Sequence, residues 1–293
     1  MAARILDCSL ADYLGDNVTD GLTLNASIAN ILLTQSPLHA HAAHPKLGGG
    51  TGEEASPEQD LGSLLHRLLL GAGPEVVEVP HDDWRTKAAK EAREEARSRG
   101  ALPVLEHKLA QADYVARMLS GRLRERGILL DGDSEVKVTW EEPIPQGPAE
   151  PWGTDVACRG MIDHLGRDRS LILDLKTGAT ANPAVIARQV LDRGWHVQAA
   201  AYTSAVEKLH PELVGRVECL FLCCEVKAPF AVSVCRLGNA LTQLGSLQWQ
   251  RACRIWAECV SLDRWPAYSD EIVTLEAPAW AVQQLETEVL NGD

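Results

Sequence analysis

Asp174 and Lys176 stand two apart in the apolar run LILDLK. Strand residues two apart point the same way, so this carboxylate and ammonium share one face while Leu173 and Leu175 turn toward the apolar side. The run VACRGMID reaches Asp163 just upstream, and a turn at Gly166-Arg167-Asp168 reverses the chain between the two segments. An antiparallel hairpin centred there pairs Asp163 close to residues 172–174 and brings its carboxylate within reach of Asp174. Two acids on one face invite a hard cation. Magnesium takes oxygen ligands and keeps several waters, so two carboxylates plus substrate phosphate oxygens make a sufficient site. Such a metal stabilises charge on a phosphate and lowers the pKa of a bound water. Lys176 would then position or deprotonate the attacking water, or neutralise the phosphorane-like transition state. The ordinary alternative is an edge pair on an exposed strand, because Asp-x-Lys alone is a weak signal.

The neighbouring segments must hold this hairpin. Glu135 to Trp140 alternates polar and apolar residues, and a Pro/Gly-rich loop at 143–153 joins it to the Asp163 strand, which predicts an antiparallel meander. Upstream, Asp60 is placed to cap a helix whose Leu61, Leu64, Leu65, Leu68 and Leu69 form one buried stripe. His66 falls beside that stripe, one turn beyond Gly62, whose missing side chain lets another element approach the imidazole; by itself it reads as a core histidine. After Gly178 comes a helix with Pro183 in its first turn, then WHVQAAAYTSAVEKL, which carries Gln198 and Tyr202 one turn apart. Strands at 217–226 and 230–237 and a helix at 239–263 close the core.

Other segments say less about chemistry. Residues 23–45 predict a helix stopped near Ser36-Pro37, then a surface loop with His39, His41 and His44. Residues 47–59 read as a mobile loop without a phosphate-cradling motif. A charged helix over 83–99 is a solvated face that leaves Arg85 and Lys87 as candidate DNA-backbone contacts, and a further helix spans about 105–125.

At 293 residues and 45% hydrophobic content the chain can bury a substantial core. Its 28 basic and 41 acidic residues leave a formal net charge of -13, which argues against indiscriminate polyanion binding. A local basic track can still coexist with an acidic exterior. Nothing approaches a bilayer-spanning apolar length, and the start MAARILDCSLADYLGD carries acids where a signal peptide carries an apolar block, so a cytoplasmic location without membrane contact is expected. The 8 cysteines then read as reduced thiols; no Cys-x-x-Cys pair supports an iron–sulfur cluster.

The run GMIDHLGRDRSLILDLKTG…GWHVQAAAY resembles the PD-(D/E)XK nuclease superfamily, specifically the RecE-like (exonuclease VIII type) phage recombination exonucleases. LGSLLHRLLL, WRTKAAKEAREEARSRGALPVLEHKLAQA and SLDRWPAYSDEIVTLEAPAW extend the likeness over roughly residues 23–282. The resemblance implies a restriction-endonuclease-like α/β fold, a mixed central sheet flanked by helices. It implies Asp163 and Asp174 as metal ligands, Lys176 as the catalytic lysine, His66 and the Leu175 backbone carbonyl as further ligands, and Gln198 with Tyr202 as a supporting pair. Met161-Ile162 departs from the basic residue and proline that often precede the first aspartate, and Arg159-Gly160 keeps part of that pattern, making Arg159 a further supporting or DNA-binding candidate. One nuclease domain over 1–293 follows, with an N-terminal helical and loop segment (1–59), a helical part supplying His66 (60–130) and a catalytic core (131–293). The implied activity is magnesium-dependent exonucleolytic hydrolysis of double-stranded DNA from its ends, in the 5′-to-3′ sense, with manganese able to substitute. A single-strand annealing protein and a ring-like homo-oligomer are the implied partners. The alternatives are a structure-specific endonuclease with the same metal chemistry, or a non-catalytic DNA- or protein-binding module on this fold.

Overall fold

The computed structural model describes residues 2–49, 57–144, 155–269 and 271–291. A short strand β1 (Arg4–Ile5) and helix α1 (Leu10–Leu14) precede α2 (Ala26–Thr34) and α3 (Pro37–Ala43). Helix α4 (Pro57–Leu70) leads through β2 (Val76–Val79), α5 (Lys87–Ser98) and β3 (Leu102–Leu105) into α6 (Glu106–Arg124). Then come β4 (Asp133–Glu142), β5 (Val156–Leu165), β6 (Leu171–Gly178), α7 (Pro183–Asp192), α8 (Trp195–Leu209), β7 (Glu218–Glu225), β8 (Val232–Arg236), α9 (Asn239–Leu262) and α10 (Ala279–Asn291).

The six-stranded sheet has the order β1-β4-β5-β6-β7-β8. Strands β4, β5 and β6 form the expected antiparallel meander, and β7 then runs parallel to β6. A parallel neighbour needs a crossover, and α7 with α8 supplies it. The sheet is therefore mixed and flanked by helices, as expected of a restriction-endonuclease-like core.

Alternation along the strands decides which helices each face receives. On one face Trp140, Ile162 and Ile172 pack with Leu32, Val197, Ala201 and Trp256 from α2, α8 and α9. On the other, Leu173, Leu175 and Leu222 pack with Leu64 and Leu65 of α4 and Leu119 of α6. Each such large apolar side chain contributes about 1.5–3 kcal/mol on burial. The leucine stripe of α4 is thus what presses His66 toward β6.

Several local readings change. The histidine segment is the helix α3, because Ser36 caps it, accepting from His39 N, and Pro37 occupies its first turn, where a proline starts a helix. His39, His41 and His44 do not converge: they contact Tyr268, Trp265 and Trp256 respectively, and His44 is buried against Asp16. Helix α4 starts at Pro57, so Asp60 lies inside it. Helix α5 starts at Lys87 because Thr86 accepts a hydrogen bond from Ala89 N. The parallel pair β2–β3 has no counterpart in the sequence reading, since two four-residue strands carry too little periodicity. Most of the 47–59 and 143–153 loops lies outside the described residues.

Candidate active site

Strands β5 and β6 stay paired for only two rungs, His164 with Leu173 and Leu165 with Ile172, whereas β6 pairs with β7 over eight. Carried one rung further, that register sets Asp163 opposite Asp174, and there the ladder opens. The Leu175 N–H donates to Asp163 Oδ2 at 2.8 Å. A carboxylate has thus taken the place of a backbone carbonyl, and the gap between the strands becomes a polar site within the sheet.

Helix α8 closes the gap from one side. Gln198 donates through Nε2 to Asp174 Oδ2 at 2.6 Å and accepts at Oε1 from Lys176 Nζ at 2.8 Å. Lys176 Nζ also stands 2.7 Å from Asp174 Oδ1 and lies over the rings of Trp195 and Phe221. Asp174 is only 2% exposed, and its Oδ1 has no aligned hydrogen-bond donor, so the lysine meets that oxygen as a charge contact. Tyr202 is buried one turn beyond Gln198. A Cβ at Gly160 would sit 2.9 Å from its ring, so the glycine lets α8 lie against β5. Burial pushes the Tyr202 phenol well above its ordinary range.

Helix α4 reaches the site from the other side. Gly62 faces Thr177, whose Oγ1 would be 3.0 Å from an added Cβ, so the missing side chain permits the approach to β6. His66 Nε2 comes to 3.5 Å from Asp163 Oδ2. Burial lowers its pKa, against the opposing pull of Asp174 and of a hydrogen bond at the Leu175 backbone, a direction that favours the neutral imidazole. Asp163 is the converse case: burial and repulsion from Asp174 raise its pKa well above the carboxylate range, outweighing the Leu175 N–H.

His66, Asp163, Asp174, Lys176, Gln198 and the Leu175 backbone therefore come together from α4, β5, β6 and α8, with Tyr202 behind them. Among the described residues no three His, Cys, Asp or Glu side chains stand close enough together to hold a metal ion. The donor types nonetheless fit a hard divalent cation: one buried and one partly buried carboxylate, an imidazole and a backbone carbonyl suit an ion that keeps water and substrate oxygens in its shell.

Three candidates lie elsewhere. Arg159 is 2% exposed, paired with Asp16 at 2.7 Å and donating to Thr23 Oγ1 at 2.6 Å. Its guanidinium ties the N-terminal segment to β5, because Asp16 neutralises it inside the fold; that makes it a structural support and not a phosphate contact. Arg85 and Lys87 are exposed, beside Asp83 and Glu91, each at 3.7 Å, outside this cluster. One residue missed in the sequence is Glu135, which the β4–β5 register sets across from Asp163. It opens the alternating run of β4, but nothing local marks it as a neighbour of the hairpin.

No curated protein sequence matches the chain. Among solved structures, a candidate exonuclease from Eubacterium rectale shares 11% identity and a TM-score of 0.58, with 94% of this chain and 98% of that chain covered. At that identity the likeness shows a common fold. A phage related exonuclease from Haemophilus somnus 129PT aligns over 83% of this chain and 97% of that one at 9% identity, but its TM-score of 0.33 carries no argument. The family described as a PDDEXK-like domain of unknown function (DUF3799) matches residues 40–278, a span that contains the whole of the carboxylate, lysine and histidine cluster, and the chain belongs to that family.

Proposed function

We propose that the protein is a magnesium-dependent deoxyribonuclease that hydrolyses duplex DNA from its ends. The observation that carries this reading is the clamp in which Gln198 holds both Asp174 and Lys176 while Asp163 and His66 face them across the opened ladder. His66, Asp163, Asp174 and the Leu175 carbonyl would hold the cation, with manganese able to substitute. When bound, such an ion polarises a phosphoryl oxygen and acidifies a water ligand. Lys176, an ammonium fixed between Asp174 and Gln198, supplies positive charge at the scissile phosphate or orients the attacking water. Gln198 prevents the lysine from swinging away, and Tyr202 backs the helix that carries it.

DNA contact by an acidic chain finds support beside Lys176. A hollow of about 560 Å³ there is bordered by Lys176 and Arg193 together with Asn25, Asn30 and Trp195; Arg159 also lines it but is already neutralised by Asp16. Arg193 and the amides there could meet the phosphates of a strand that passes Lys176. The 5′-to-3′ sense, recombination with an annealing partner and a ring-like assembly rest on the resemblance of the motifs.

The test is degradation of end-labelled linear duplex beside the same DNA as a closed circle, with magnesium, for wild type and Lys176→Ala. Loss of the linear form alone, abolished by the substitution, is the expected result. Equal cutting of the circle would replace the exonuclease by an endonuclease, and no cutting of either form with magnesium or manganese would refute the enzyme.

A further inference from the structure

Glu135 lies at a break in the pleat. Ser134 pairs with His164 and Val136 with Ile162, which sets Glu135 directly across from Asp163. Ile162 and Leu165, three apart on β5, both enter the core under α8 and α9, although strict alternation would send them to opposite faces. The backbone of Glu135 is left-handed, with φ 50°. For a glutamate within a strand this conformation costs on the order of 1 kcal/mol or more, and such positions cluster at functional sites.

The carboxylate lies against the Gly73 backbone, on the rung next to Asp163. It makes no hydrogen bond or ion pair among the described residues. Gly73 leaves it room: a Cβ there would stand 3.2 Å from Glu135 Oε1. Carrying the β4–β5 and β5–β6 registers to this rung puts Glu135, Asp163 and Asp174 in one row across three strands. Lys176 stands 2.7 Å from Asp174, whereas no ammonium or guanidinium pairs with Glu135 or Asp163 among the described residues.

We propose that Glu135 is a further cation-directing carboxylate of this site, acting beside Asp163 and His66. The proposal rests on the reading of the site as cation-dependent. It explains why a strained rung occurs where a glycine would relieve the backbone but could not supply the acid.

Calorimetric titration of the full chain with manganese chloride tests it, using wild type, Glu135→Gln, Glu135→Gly and Asp163→Asn. Glu135→Gln should weaken manganese binding about 10- to 100-fold. Glu135→Gly should lose the same affinity while its melting temperature is unchanged or higher, since glycine accepts the left-handed backbone. Manganese affinity of Glu135→Gln equal to wild type, alongside lost binding in Asp163→Asn, overturns the role of Glu135 alone. No manganese uptake by wild type overturns this proposal and the cation-dependent reading together.

Discussion

Two carboxylate–lysine pairs lie against α8, and they differ in how completely their oxygens are served. Near the C-terminal end of the helix, Glu142 Oε1 accepts from Trp140 Nε1, Ser204 Oγ and Trp249 Nε1, while Oε2 accepts from Lys208 at 2.6 Å. Burial alone would raise the Glu142 pKa, yet the bonds from Lys208, Ser204 and Trp249 outweigh it and hold the carboxyl below its ordinary value. Near the N-terminal end, Asp174 has a similar lysine at 2.7 Å but an oxygen without an aligned donor, and its neighbour Asp163 is pushed upward. A fully bonded buried acid stabilises the fold. An incompletely bonded acid facing another acid retains capacity for an outside ligand, at a cost to the fold.

The sharpest way to break this contrast is Asp163→Asn. Activity should fall by about 10²–10³-fold, the scale of losing one preorganised electrostatic group. The metal-free protein should nevertheless melt at a higher temperature, because an amide still accepts from Leu175 N and no longer repels Asp174. A lower melting temperature would mean that Asp163 is there for stability.

Glu142→Ala should show the opposite pattern. Removing the acid of this half-buried pair, and with it the acceptor of Trp140, Ser204 and Trp249, should cost about 1–3 kcal/mol in urea unfolding, while activity per folded molecule is kept. The pH dependence sharpens the point. Because the folded-state pKa of Glu142 is depressed below its ordinary value of 4.5, its contribution to stability is present above that value and lost as pH falls through the folded-state pKa. The stability gap between wild type and Glu142→Gln should therefore be full at neutral pH and shrink on acidification below about 4.5. A gap that is flat across this range would contradict it.

The smallest effect is expected on α5 and the turn before it. Arg85→Ala and Lys87→Ala should change stability by less than about 0.5 kcal/mol, since both side chains are exposed and weakly paired. A salt slope of DNA binding reduced by about one per substitution would bring this face onto the DNA track, and an unchanged slope would remove it.

Asp174 and Lys176 were legible because two-residue alternation puts them on one face whatever else the chain does, and the turn at Gly166 to Ser170 is short enough to hold Asp163 close. Gln198 and Tyr202 were legible as a helical i, i+4 pair. Glu135 was not: its rung depends on a register reached across the long 143–153 connection, whose length does not set a pairing. Arg159 was a candidate only through the resemblance carried by Arg159-Gly160, and its partner Asp16 arrives from the N-terminal segment, far away in the chain.

The sequence by itself determined the periodicities, and with them the meander, the leucine stripe of α4 and the orientation of the Asp-x-Lys pair, since each depends on neighbours within a few residues. Tertiary structure alone decided that β5 parts from β6 at Asp163, that α8 fastens Asp174 to Lys176 through Gln198, and that Glu142 is fully bonded while Asp174 is not. The physical reason is that burial and hydrogen-bond completion are set by groups distant in the chain, which meet only when the sheet closes and its helices pack.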